Sequence, residues 1–156
     1  MADASLPRPS LLGWSLAALL REWKARIAVI AADLPHGERG YQVLSVAAHE
    51  QPPTQSALAA RLGIDRTVMT YVLDELSAAG LIERRLDPAD RRARRIAATA
   101  RGRDAVAALD IRVRAAEDEL LSGLEPGQRA QLCGLLEHAA SGAAPGDDRC
   151  AVTARA

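Results

Sequence analysis

Six arginines, Arg84, Arg85, Arg91, Arg92, Arg94 and Arg95, crowd into twelve residues of this chain, with Glu83, Asp87 and Asp90 as the neighbouring acids. Guanidinium is planar, permanently charged and weakly hydrated, so such a cluster suits phosphate oxygens and narrow grooves of focused negative potential. A turn salt-bridged through Asp87 and Asp90 uses two of these cations and leaves an excess. Upstream lies a second polar group, Arg66, Thr67, Thr70 and Tyr71. Hydroxyls and a guanidinium can hydrogen-bond base edges, and a threonine methyl can pack on thymine. Reaction chemistry has no comparable set: there is no Ser-His-Asp order, metal-ligand cluster or phosphate-cradling loop. His36, His49 and His138 stand without metal partners at ligand spacing. The chain therefore does not read as an enzyme and implies no cofactor.

The elements between these groups can be read from capping and periodicity. Thr54 can cap a short helix whose inner face is Leu58, Ala59 and Leu62, and Gly63 ends it. Asp65 can cap the next helix, with Val68, Met69, Val72, Leu73 and Leu76 inward and the polar group outward. Gly80 supplies a left-handed stop. Residues 81–86 and 94–99 read as two strands around a turn at Asp87-Pro88-Ala89-Asp90. This order is a helix-turn-helix followed by a basic hairpin, over 54–99. It predicts sequence-specific binding of double-stranded DNA, with Thr54, Gln55, Asp65, Arg66, Thr67, Thr70 and Tyr71 on the helices and Arg84, Asp90, Arg91, Arg92 and Arg94 on the wing. Asp90 is expected to orient a neighbouring arginine, and Asp87 or Asp90 to hold Arg91.

Long helices flank this core. Leu12, Leu16, Leu19, Leu20, Trp23, Ile27, Ile30 and Leu34 recur at three- and four-residue steps and predict a helix over 11–34, ended by Pro35-His36-Gly37. A second helix is expected over 38–49. Pro52-Pro53 breaks the chain before the motif. Thr99 can cap a helix from about Ala100 to Leu121 lined by Val106, Leu109, Val113, Ala116 and Leu120, and Pro126 opens a last helix to about Ala140. Residues 1–10 read as a flexible arm and 141–156 as a disordered tail. The fold class is mainly α with a small β wing.

Formal net charge is zero, but its distribution is uneven. Residues 61–103 carry ten Arg against six acids, a local +4, and residues 104–148 carry three Arg against nine acids, a local −6. Local field governs attraction to phosphate, so a basic middle and an acidic flank suit a protein that touches DNA with one face. No apolar run approaches the roughly 20 residues of a membrane span. No secretory leader is visible, and Cys133 and Cys150 form no disulfide framework, so a reducing cytoplasm is expected.

With these residues in place the chain resembles the MarR family of bacterial transcription regulators. DPADRRARRIAAT at 87–99, followed by Gly102-Arg103, is similar to the family's wing signature, DPxDRR with a later LT-x-x-G. LAARLGIDRTVMTYVLDELSAAGLIERR at 58–85 resembles its two DNA-binding helices. The helix order agrees over 11–140, which reads as a single domain. The resemblance implies a homodimer, with dimerisation helices in 11–50 and 100–140 and one winged domain per subunit on a palindromic operator. It also implies repression relieved by a small phenolic or anionic effector, or by cysteine oxidation. Ala98 stands where the family usually has Leu, and no cysteine precedes Cys133.

Trp14, Arg21, Trp23, Tyr41 and His49 are the candidates for effector contact, with Lys24 and Arg26 as further cations. Each has a plainer use, because a chain without Phe needs its aromatics in the core. Cys133 reads as a small buried hydrophobe, or as the thiol of a redox-sensing regulator. A DNA-binding activator without a ligand is a further alternative. A purely structural helical module is disfavoured by the arginine-rich hairpin.

Overall fold

The computed structural model describes residues 11–50, 53–90 and 92–143. The expected arm at 1–10, Arg91, and the expected tail from residue 144 onward, with Cys150, lie outside the described residues. The chain is mainly helical with one antiparallel pair of strands. Its elements are α1 (Leu11–Ile30), α2 (Glu38–His49), α3 (Gln55–Leu62), α4 (Arg66–Ala78), β1 (Ile82–Leu86), β2 (Arg94–Ala98), α5 (Ala100–Leu120) and α6 (Pro126–Ala143). Residues up to Leu120 form one unit and residues from Leu121 a second.

The core of the first unit is assembled from every element in it. Ile27 of α1, Val43 and Leu44 of α2, Leu58 of α3, Met69, Val72, Leu73 and Leu76 of α4, and Ile96 of β2 are fully buried, with Val106 of α5 beside them. Burial of each such side chain contributes about 1.5–3 kcal/mol. Helix α2 packs into this core through Tyr41, Val43, Leu44 and Ala47.

Helix α1 stops at Ile30, four residues before the predicted end. Proline cannot donate a backbone hydrogen bond and its ring crowds the carbonyl one turn earlier, so Pro35 unwinds the turn before it. The carbonyl of Ala31 accepts from Leu34 N at 3.0 Å instead, and His36 and Gly37 follow at φ 61° and 53°. Within its own chain α1 buries little of its apolar stripe. Leu12, Trp14, Leu16 and Leu20 are exposed, and α1 contributes only Ile27 as a buried residue.

Thr99 ties the end of the wing to α5. Its hydroxyl accepts from Gly102 N at 3.0 Å and lies 2.7 Å from the Gly80 carbonyl as donor. Gly102 sits so close to the loop before β1 that a Cβ there would fall 1.9 Å from the Leu81 oxygen. Ala98 is buried and pairs with Ile82 in the sheet. In the second unit, α6 reaches Ala143, three residues past its predicted end. Cys133 is exposed rather than a buried hydrophobe, as are most of the described side chains of α6.

Candidate nucleic-acid interface

The two motif helices are held by their caps. The Thr54 hydroxyl accepts from Ala57 N at 3.2 Å and opens α3, and Gly63 closes it at φ 62°. Asp65 accepts from Thr67 N at 2.8 Å and Val68 N at 3.4 Å and opens α4. Those two backbone donors hold its carboxyl below the usual aspartate range. Met69, Val72, Leu73 and Leu76 face the core, which turns Arg66, Thr67, Thr70, Tyr71 and Asp74 to solvent. Across the helix pair, Gln55 Nε2 donates to Thr70 Oγ1 at 3.1 Å, and Thr70 Oγ1 donates to the Arg66 carbonyl at 3.0 Å.

The wing is the β1–β2 hairpin, with Arg84 opposite Ile96 and Leu86 opposite Arg94. Its base is stitched to α3: Ile96 N donates to the Pro53 carbonyl at 2.9 Å and Thr54 bridges to Arg95. Asp87 organises the turn. It is buried, accepts from Ala89 N at 2.9 Å, and pairs with Arg95 Nε at 2.9 Å. The Ala89 backbone bond, then the arginine, keep the Asp87 carboxyl below its ordinary range. Asp90 accepts from Arg92 N at 2.9 Å. Asp87 thus takes Arg95; the expectation that Asp87 or Asp90 holds Arg91 falls on a residue outside the described ones.

The remaining wing arginines divide by partner. Arg85 pairs with Glu83 on its own strand. Arg84 Nη2 lies 2.6 Å from Asp74 Oδ1, so it reaches back to α4. Arg92 is exposed, and its guanidinium has no ion-pair partner among the described residues; the same holds for Arg66 on α4. Arg66, Arg92 and Arg94 line one open groove of about 760 Å³ together with Thr54, Gln55, Thr70 and Asp90. Three cations against one acid make that groove a place for anions. Thr67 and Tyr71 lie exposed on α4 and Asp65 serves as its cap, all three off the groove wall.

Two acids matter here that the sequence reading did not single out. Asp74 is one; it follows Thr70 by one turn on the exposed face. Asp110 on α5 is the other. It accepts from the Tyr41 hydroxyl at 2.8 Å and lies 2.7 Å from His49 Nε2. Burial and that carboxylate push the Tyr41 hydroxyl up from its usual range. Trp23 Nε1 donates to Glu117 at 2.9 Å, two turns further along α5. Of the effector candidates, Tyr41 and His49 thus meet at one carboxylate and Trp23 at another. Trp14 is exposed on α1, and Arg21 lies 3.6 Å from Glu22. The signal for Asp110 was an acid set between the inward Val106 and Val113. Among the described residues no group of three or more His, Cys, Asp or Glu could hold a metal, and no helix is long and apolar enough to cross a membrane.

Comparison with known proteins agrees with this geometry. A family model described as MarR family matches residues 40–93. A MarR-family transcriptional regulator from Rhodococcus sp. RHA1 is 28% identical, with a TM-score of 0.74 over 85% of this chain and 94% of its own. CouR from Rhodococcus jostii RHA1, solved bound to p-coumaroyl-CoA, is 29% identical, with a TM-score of 0.70 over 82% of this chain and 90% of its own. A MarR family protein from Mycobacterium tuberculosis, solved in complex with DNA, shares the fold: 22% identity and a TM-score of 0.67 over 83% of this chain and 98% of its own.

Proposed function

We propose that the chain is a winged helix-turn-helix transcriptional regulator of the MarR family, and that it acts in the cytoplasm as a homodimeric repressor on an inverted-repeat operator. The observation that carries the reading is the groove between α3, α4 and the wing, where Arg66, Arg92 and Arg94 converge. In this reading α4 enters the major groove with Thr67, Thr70 and Tyr71 toward the bases. Arg92 enters the flanking minor groove, where a narrow A·T-rich segment concentrates negative potential. Thr54 at the start of α3 meets the backbone. Asp65 and Asp90 shape the interface through their backbone bonds. Arg84 acts as a brace through Asp74. A protein of the same fold has been solved in complex with DNA. The family acts by binding DNA rather than by catalysis.

Dimerisation is supported by the apolar surface that one chain leaves in water. Leu11, Leu12, Trp14, Leu16 and Leu20 are exposed along α1, and Leu135 and Leu136 along α6. A monomer seldom leaves a helix with so many large apolar side chains uncovered, and each of the two helices does so by itself. Twofold pairing then places two recognition helices about one DNA turn apart. The likeness to a relative bound to p-coumaroyl-CoA supports release by a phenolic or anionic effector. Tyr41, His49 and Trp23, polar-anchored against α5, are the proposed contacts, with Trp14 and Arg21 on α1. Exposure of Cys133 favours a second reading, a thiol-responsive regulator.

Titration of the purified protein against genomic fragments at two salt concentrations tests the main reading. Protected inverted repeats bound by two chains support it, and uniform salt-sensitive coating without a footprint refutes it. Peroxide treatment of Cys133→Ser beside the parent separates the second reading, which requires the variant to keep its grip on DNA under oxidant.

A further inference from the structure

The hydroxyl of Thr70 is committed on two sides. It donates to the Arg66 carbonyl at 3.0 Å, and a carbonyl can only accept. Its single proton is therefore occupied, so the Gln55 amide 3.1 Å away must be the donor to it. That requirement fixes which end of the amide faces Thr70: Nε2 points inward. One Nε2 hydrogen and the Oε1 acceptor remain for another partner.

A hydroxyl without a free proton cannot donate to guanine O6, guanine N7 or thymine O4. The group of Thr70 left for contact with a base is its methyl. What Gln55 presents is one N–H beside one C=O, the pattern that pairs with N7 and N6 of adenine. Gln55 is the first residue of α3, its backbone fixed by the Thr54 cap, and it lines the groove with Thr70. A free glutamine side chain loses rotamers on binding. One already tied to Thr70 has lost them before DNA arrives.

We propose that Gln55 and Thr70 act as one reading unit, in which Gln55 on the bracing helix is a specificity-determining residue for adenine. Thr70 is its positioning residue: the hydroxyl sets the amide, and the methyl favours an adjacent thymine. This rests on the DNA-binding reading above. It moves the hydrogen bond to a base from Thr70 itself to Gln55 on the helix before it.

The test is selection from randomised duplexes with the full chain as parent, Gln55→Ala, Thr70→Val and Thr70→Ser. The parent should enrich an A·T pair at one position of each half-site. Gln55→Ala should lower discrimination there by about tenfold and leave other positions unchanged. Thr70→Val keeps the methyl and the volume but loses the hydroxyl, and should relax the same position. Thr70→Ser keeps the hydroxyl and should retain the adenine. A merely structural role would weaken all sequences together without changing base weights. Uniform weakening by Gln55→Ala would reveal a phosphate contact and overturn the proposal, as would unchanged weights for Thr70→Val or loss of the adenine in Thr70→Ser. A parent that enriches no motif overturns the regulator reading as well.

Discussion

Removal of the Arg92 side chain should change the salt dependence of operator binding more than any other single wing substitution among the described arginines. Its guanidinium is exposed and has no ion-pair partner among the described residues, so its full charge is available to phosphate. Each phosphate neutralised contributes about 0.9 to the slope of log affinity against log salt, so two wings per dimer contribute about 1.8. Over a fourfold rise in salt, from about 50 to 200 mM, parent affinity should fall roughly 12-fold further than that of Arg92→Ala. Arg84→Ala is the matched control. Arg84 is already paired with Asp74 at 2.6 Å, so the pair is neutral in the parent and the slope should change less. The assay is a salt series of binding isotherms on one operator for the three proteins. Equal slopes for the parent and Arg92→Ala would take the wing tip out of the interface. A larger slope change for Arg84→Ala would show that counting ion pairs in the free protein misplaces the field.

Three further outcomes follow from the geometry. Gly102→Ala should lower the melting temperature by several degrees, since its Cβ would lie 1.9 Å from the Leu81 oxygen and the start of α5 must shift, at a cost of about 1–3 kcal/mol; an unchanged melt would refute the close approach. Leu16→Glu with Leu20→Glu should convert the dimer to monomer in sedimentation, because both side chains lie on the exposed strip of α1; a dimer surviving both charges would place the interface elsewhere. Asp65 and Asp87 have depressed folded-state values, so their ionised forms stabilise the fold above the unfolded aspartate value near 3.9. That contribution should vanish as pH falls below 3.9 through the folded values. Asp65→Asn, which keeps a cap acceptor, should flatten part of the acid limb of melting temperature against pH, and an unaltered limb would assign it to other groups.

The fold was readable because each boundary in the motif is made by local chemistry. Thr54, Asp65 and Thr99 cap their helices with their own oxygens, and Gly63 and Gly80 stop helices in the left-handed region at φ 62° and 69°. Such signals need no tertiary knowledge. The end of α1 was less legible, since the apolar period continues to Leu34 while Pro35 disrupts the turn before it. The exposed half of α1 was illegible in a different way: a stripe that packs on its own chain and one that packs on a second copy have the same period. Of the expected DNA contacts, Thr54, Gln55, Arg66, Thr70, Asp90, Arg92 and Arg94 border one space. Hydrogen-bond partners were not legible. Asp110 lies 69 positions from Tyr41 and 61 from His49 and joins the two, and periodicity cannot show such a pairing.

Counting arginines in the sequence treats the wing as one cationic patch, but its acids divide it by function. Asp87, buried at the turn, holds Arg95 and thereby ties the turn to β2. Asp74 on α4 holds Arg84 and thereby couples the wing to the helix beside it. Glu83 holds Arg85 on the same strand. These pairs are partly exposed, so each adds little stability on its own. Their consequence is directional: they fix the hairpin against α4 while Arg92 extends from it. A wing held this way presents its charge at a set distance from Thr70 and Gln55. That distance matters because the minor groove and the major groove of one half-site lie a fixed step apart. Shape and charge of the site are therefore one design. Removing Asp74 should alter DNA affinity even though an acid beside DNA is electrostatically unfavourable, and the sign of that change separates the two roles: a loss reports the brace, and a gain reports the repulsion.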